Sequence, residues 1–296
     1  MKKLIYSIYI DIPEHLLDET GYSVHARTNK HRGERAGETK DKLAAYKNKL
    51  MWQQKLYADT VDADYKLYHF DKEFVDYYRY CKKVYDNLPM YHIINYYKHH
   101  LMLKNSYTYD AVYYIDIDVI PQTECDVFEE HDLKYFYAMN NNDLAEWGKK
   151  HDLTRYNSCD RNPVIKYWNA YALLLEHGLD PENNVINTGT MLGGSHAIQK
   201  LAWDDYFEYC VEVMRELQTD KKSMFPQALQ ERFAFDNESM FSFLINFLNV
   251  PYKTFEDEWH HRLPDTGPDK DAKMIHAISK KFELIWPNVE YEGRAL

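Results

Sequence analysis

The amino-acid sequence predicts an α/β fold: a mixed, mostly parallel sheet flanked by helices, with a C-terminal extension. Three observations lead there. Strand-like runs alternate with segments of helical period through the first half of the chain, and that alternation implies parallel strands joined by crossover helices. Hydrophobic residues make up 45% and charged residues 28%, the balance of a globular protein with a sizeable core, which excludes disorder and fibrous architecture. No internal repeat or low-complexity linker divides the 296 residues, a length that suits one large or two modest domains at roughly 100 to 200 residues each.

Taken in order, Leu4 to Ile12 is β-branched and aromatic and stops at Pro13, as a first buried strand does. Residues 24–42 carry His25, Arg27, Lys30, His31, Arg32 and Arg35 among glycines and read as a mobile basic loop. From Asp41, Leu43, Tyr46, Leu50 and Tyr57 recur at helical spacing. A short strand over Tyr65 to Phe70 leads to helices over Glu73 to Asp86 and about Met90 to Lys104. Ala111 to Ile120 is the most strand-like run, interrupted only by its acids, and Tyr135 to Met139 is the next strand. Asn140 to Asp143 then forms a polar loop, and Val164 to His177 a helix. Asn187 to Gly194, small, polar and glycine-bearing, reads as a turn before a long helix through Leu201, Tyr206, Tyr209 and Val213. Glu238 to Leu248 is a further helix, Lys273 to Ile278 alternates like an edge strand, and the tail beyond Lys281 reads as loosely ordered.

A formal net charge of −11 argues against a protein that coats nucleic acid through bulk charge. No stretch reaches the roughly 18 to 20 apolar residues that span a bilayer, and the apolar start meets Asp11 too soon for a signal peptide. Cys81, Cys125, Cys159 and Cys210 form no CxxC pair, so free thiols in a reducing compartment, and hence a soluble cytoplasmic protein, are expected.

The chemistry concentrates in few places. Of three Asp-x-Asp triplets, Asp62/Asp64, Asp116/Asp118 and Asp269/Asp271, only Asp116/Asp118 ends an apolar strand. Acids two apart on a strand share a face, and their burial is costly unless a cation or hydrogen bonds compensate. Carboxyl ends of parallel strands are also where open α/β sheets place ligands. The alternative is that both acids cap a turn and face water. Asp236 and Glu238 precede an apolar helix, where Asp236 serves equally well as an N-cap or as a carboxylate presented to a pocket. Lys98, with His99 and His100, either neutralises phosphate or snorkels into solvent, and the solvated reading is favoured.

Tyr114-Ile115-Asp116-Ile117-Asp118-Val119 resembles the metal-binding segment of the Rossmann-like GT-A glycosyltransferases. Asn187-Thr188-Gly189-Thr190-Met191-Leu192 is similar to their sugar-pocket turn, and His276-Ala277-Ile278-Ser279-Lys280-Lys281 to their late histidine segment. Ser279 and Phe282-Glu283 stand where that family often has a glycine and a Pro-Trp pair, which leaves both Lys280 and Lys281 open as the diphosphate lysine; Lys281 is the preferred one. Phe235-Asp236-Asn237-Glu238-Ser239 resembles the segment these enzymes place beside the anomeric carbon.

The resemblance implies a metal site of Asp116, Asp118 and His276, donor binding by Asp116, Asn187, Gly189 and Lys281, and a catalytic carboxylate at Asp236 or Glu238; Lys98, from its place on the helix before the metal strand, is added as a donor-binding candidate. His276 has a second reading, a strand histidine satisfied by a backbone carbonyl. Oxygen ligands with one imidazole favour Mn²⁺ and leave Mg²⁺ open. The function expected is transfer of a sugar from a nucleoside diphosphate donor, uridine being the favoured base, to a hydroxyl of a glycan, a protein or a modified nucleobase. A nucleic-acid acceptor stays compatible but is not indicated by the net charge. Two rivals are a nucleotidyltransferase acting on a sugar phosphate, which usually carries a Gly-rich basic loop after its first strand, and a non-catalytic nucleotide-sugar-binding protein. Residues 1–139 are assigned to the nucleotide-sugar half and 140–296 to the acceptor side, within one continuous globular domain.

Overall fold

The computed structural model describes residues 1–11, 13, 32–142, 162–219, 225, 227–230, 236–264 and 266–286. The strands are β1 (Lys3–Tyr9), β2 (Asp64–His69), β3 (Ala111–Ile115), β4 (Val119–Pro121), β5 (Phe136–Asn140), β6 (Ile186–Gly194), β7 (Tyr252–Thr254), β8 (His261–Arg262) and β9 (Met274–His276). The helices are α1 (Arg32–Thr60), α2 (Lys72–Val84), α3 (Met90–Ser106), α4 (Val127–Glu130), α5 (Asn162–Glu176), α6 (Ser195–Lys200), α7 (Trp203–Thr219), α8 (Gln227–Gln230) and α9 (Asn237–Phe247). Among these residues no helix is long and apolar enough to cross a membrane.

A six-stranded sheet of order β2-β1-β3-β6-β5-β7 forms the centre. β6 alone runs against its neighbours β3 and β5, so the sheet is mixed and mostly parallel, as expected. A second sheet, β4-β9-β8, starts where β3 stops. Period-2 alternation sorts the core onto two faces. Leu4, Tyr6 and Ile8 of β1, Val112 and Tyr114 of β3 and Phe136 of β5 pack under α2, α3 and α7; Ile5, Tyr113, Ile115 and Tyr137 meet Tyr57 of α1 and Trp259. The site thus lies at the end of a strand buried on both faces.

Six expectations are corrected. Residues 32–42 are not loop but the start of α1, which runs unbroken into the amphipathic segment after Asp41; Arg27 lies outside the described residues, and of Arg32 and Arg35 only the helical backbone is described. Ala111 to Ile120 is two strands, since the segment 116–118 turns and hands the chain from one sheet to the other. Asn187 to Gly194 is no turn but the central antiparallel strand β6. Its small residues answer crowding rather than bending: a Cβ on Gly193 would lie 3.0 Å from Ile198, and one on Gly194 would lie 2.4 Å from the Leu133 carbonyl oxygen. β9 is the middle strand of its sheet rather than an edge. Beyond Lys281, Phe282 is buried and Trp286 stacks on Tyr46, so residues 282–286 are ordered by α1. The helix expected through Leu201 is broken at Ala202, whose φ of 47° ends α6 before α7 begins.

Gly194→Ala should therefore destabilise the fold by about 1–3 kcal/mol, because the atom it strikes is backbone and cannot rotate away. Gly178→Ala, where a φ of 65° is strained but nothing lies within 4 Å, should cost about 1–2 kcal/mol. Denaturant unfolding measures both, and an unchanged midpoint for Gly194→Ala contradicts the packing described.

Candidate functional site

β3 ends at Ile115 and the chain turns at once, with Val119 N–H donating to the Asp116 carbonyl. Three separate elements clamp this turn. Asp116 N–H donates to the Gly189 carbonyl of β6 at 2.7 Å, and Ala277 N–H donates to the Asp118 carbonyl at 3.0 Å. From α1, the wholly buried Gln54 donates to the carbonyls of Asp116 and Val119 at 3.0 and 2.9 Å, while its own carbonyl accepts from Ser7 and Tyr65. A rigid turn follows, and with it two fixed carboxylates.

Both carboxylates meet cations. Asp118 is 3% exposed, with the Lys280 ammonium 2.5 Å and His276 Nε2 3.4 Å from its Oδ2. Burial alone would push its carboxyl up, but Lys280 and His276 more than offset that and hold it well below the ordinary carboxylate range. Asp116 is half-buried; its Oδ1 accepts from the Tyr114 hydroxyl and lies 3.8 Å from the Lys98 ammonium, while its Oδ2 lies 3.7 Å from His276 Nε2. Lys98 is buried, which corrects the solvated reading favoured from its sequence, and it donates to the Thr188 carbonyl at 3.2 Å. Burial pushes its ammonium down, against the pull of Asp116, Asp236 and Asp118.

One ligand atom each from Asp116, Asp118 and His276 fall within 4.8 Å of one another. Ligands side by side on one cation at roughly 2.0–2.2 Å stand about 3 Å apart, so this donor set fits a divalent ion after small adjustments. β9 brings His276 here, pairing with Val119 of β4. Gly189 makes the space: a Cβ there would lie 2.2 Å from His276 Cε1 and 2.6 Å from its Nδ1. Asn187 Oδ1 accepts from the Gly189 N–H at 3.0 Å. Of the two candidate lysines, Lys280 places its ammonium on Asp118, while Lys281 precedes the 3-10 turn at Phe282–Leu284.

The two acceptor-side acids differ. Asp236 caps α9 through Oδ2, accepting from Ser239 N–H at 3.1 Å and the Ser239 hydroxyl at 2.9 Å. Glu238 is buried, and both its oxygens are engaged: Oε1 accepts from Thr188 N–H at 2.7 Å, and Oε2 pairs with the Lys166 ammonium. Asn237 between them donates to Thr188 Oγ1 and meets His99, which stacks on Trp203 at 4.0 Å. Asn140 and Asn142 donate to Asn184, and Asn141 accepts from Arg262, so this segment is tied into the fold; Asp143 lies outside the described residues.

Sequence reasoning missed Gln54, Lys166 and His260. Gln54 had a signal, being four residues after Leu50 on the inward face of a helix. Lys166 had none, because a lysine near a helix start reads as solvent-facing.

No protein-family model matches the sequence, and no curated protein matches it. Solved structures similar in chain course include a glycosyltransferase involved in glycosylation of the major capsid of PBCV-1, 9% identical over 97% of this chain and 100% of that one, with a TM-score of 0.42. Mouse xyloside xylosyltransferase 1 is 9% identical over 94% and 98% of the two chains, with a TM-score of 0.44. An active-site mutant of LgtC is 12% identical over 92% and 86%, with a TM-score of 0.40. Likenesses of this size concern the course of the chain, and the chemistry rests on the side chains.

Asp236→Asn keeps a competent cap and should change stability by less than about 0.5 kcal/mol. Glu238→Gln breaks the direct ion pair with Lys166, leaving Asp236 as the remaining carboxylate that acts on it, and should cost about 1–3 kcal/mol. Chemical denaturation of both variants checks the ranking, and the reverse order would contradict a capping Asp236 and a charge-paired Glu238.

Proposed function

We propose that this protein is a metal-dependent glycosyltransferase that takes a nucleoside diphosphate sugar, with uridine as its base, and passes the sugar to a hydroxyl acceptor. The observation that carries the reading is the convergence of Asp116, Asp118 and His276 from two distant segments onto one point at the end of β3. A glycosyl group leaving a diphosphate needs its departing charge neutralised, and a divalent ion held by these three groups, Mn²⁺ or Mg²⁺, supplies that as a Lewis acid. The residues of the chain do the remainder. Lys98 backs Asp116 and keeps its carboxylate aimed, and Lys280, at the rim, offers an ammonium to the diphosphate. Asn187 and Gly189 shape the wall beside His276.

On the acceptor side Asp236 ranks above Glu238 as the carboxylate beside the anomeric carbon. Glu238 has both oxygens committed to Thr188 and Lys166, whereas the hydrogen bonds of the cap use Oδ2 of Asp236. The site draws on both 1–139 and 140–296, which supports treating the donor and acceptor halves as one continuous unit. The unpaired thiols of Cys81, Cys125 and Cys210 suit a reducing, cytoplasmic setting; Cys159 lies outside the described residues.

The test is release of UDP from a panel of UDP-sugars in Mn²⁺, run beside pyrophosphate exchange. Turnover should vanish with excess chelator and fall more than about 100-fold in Asp118→Asn, while denaturant unfolding reads separately the roughly 1–3 kcal/mol that losing the pair with Lys280 costs the fold. Asp62→Asn should be silent. Pyrophosphate exchange instead assigns a nucleotidyltransferase. A donor that stabilises the chain by about 2.7 kcal/mol at a hundred times its dissociation constant, without turnover, assigns a binding protein.

A further inference from the structure

Behind His276 stands a second histidine, fully buried on the 3-10 turn Asp257–His260. The contact between the two rings is specific to their edges. His260 Nε2 lies 2.8 Å from His276 Nδ1, and His260 Nδ1 lies 2.6 Å from the hydroxyl of the buried Thr190 on β6. His276 Nε2 faces the opposite way, toward Asp118 and Asp116. Thr190, His260, His276 and the two acids therefore form one line from the central sheet to the site.

We propose that His260 is a positioning residue for cation binding: it accepts, at its Nε2, a hydrogen bond from His276 Nδ1–H and, itself held by Thr190, turns a bare His276 Nε2 toward a divalent ion shared with Asp116 and Asp118. This rests on the metal-dependent reading of the site. An imidazole binds a metal through an unprotonated nitrogen, so its other nitrogen must carry the proton, and a partner on that nitrogen fixes tautomer and ring direction. At His276 the nitrogen away from the acids is Nδ1, and the acceptor placed on it is His260 Nε2. A neutral His260 that accepts at Nε2 is protonated at Nδ1, and the Thr190 hydroxyl oxygen accepts a hydrogen bond from that N–H. The opposite orientation would put a His276 Nε2–H against the carboxylates and occupy the lone pair an ion needs. Gly189 completes the cradle, because any Cβ on it would meet the His276 ring.

The experiment titrates the full chain with Mn²⁺ alone, and again with UDP present, following the paramagnetic resonance signal of free Mn²⁺. His260→Leu fills the space without an acceptor, and Thr190→Val keeps its shape without the hydroxyl. Each should weaken Mn²⁺ binding about 10- to 100-fold. His260→Gln, whose side-chain carbonyl can accept from Nδ1, should stay close to the unaltered chain. A packing role predicts the reverse, with Leu tolerated and Gln costly, and the melting temperature of each metal-free variant reads that separately. Undiminished Mn²⁺ binding by His260→Leu and Thr190→Val, or His260→Gln as weak as His260→Leu, overturns the positioning role while leaving the metal reading standing. If His260→Leu does not fold, Thr190→Val decides alone. An unaltered chain that takes up no Mn²⁺ in either titration overturns the metal reading, and this inference with it.

Discussion

The structure is organised around two carboxylates that leave water at the end of a buried strand. Removing such a charge from water costs several kcal/mol unless opposite charge and hydrogen bonds replace the lost hydration. Asp118 is almost wholly buried, and its compensating charge comes from Lys280, 162 positions away in sequence. Asp116 draws instead on Lys98 and on the hydroxyl of Tyr114, two residues before it near the end of β3. Neither partner set exists in an unfolded chain. The acids thus link the correct pairing of β4 with β9, and the docking of α3, to a local electrostatic need.

The same need explains the shape of the central sheet. β6 passes between β3 and β5, and its Thr188 to Thr190 segment has His276 on one side and the start of α9 on the other. A strand so placed has no room for large side chains where the histidine packs, and Gly189 sits at that point. Thr188 and Thr190 are buried hydroxyl residues, and each is used: one bonds to Glu238 and Asn237, the other to His260. Small polar residues that resemble a turn on paper are here the requirement of a crowded, hydrogen-bonded strand.

That contrast marks what the sequence could show. The parallel strands β1, β2 and β3 and the helices between them were legible, because hydrophobic period is a local property that burial enforces. Asp116, Asp118 and His276 were legible through their order in the chain. The break of Ala111 to Ile120 into two strands was not, since the turn is held by Gln54, Gly189 and Ala277 from elsewhere and leaves no Gly or Pro signal of its own. β6 was misread for a related reason: composition signals flexibility, and only packing shows that the glycines stand against other atoms. Lys98 and Lys166 illustrate the remaining gap. Lysines are almost never buried without a partner, and their partners Asp116 and Glu238 lie 18 and 72 residues further along the chain.

Lys280 brings these constraints together. Among the described residues it is one of four non-glycines with positive φ, at 55°, a conformation that costs an ordinary side chain roughly 1–2 kcal/mol. Such strain persists where surrounding structure over-determines it, and Lys280 is pinned at both ends: its N–H donates to the Ala277 carbonyl at 2.7 Å, and its ammonium sits on Asp118. The tight loop after β9 is what lets a residue four positions past His276 reach back to the carboxylate that His276 also faces. Two ammonium groups, on Lys98 and Lys280, thereby balance two carboxylates. One strained backbone position thus supplies a counter-ion to the buried Asp118 and, by the same reach, a cation at the rim of the site.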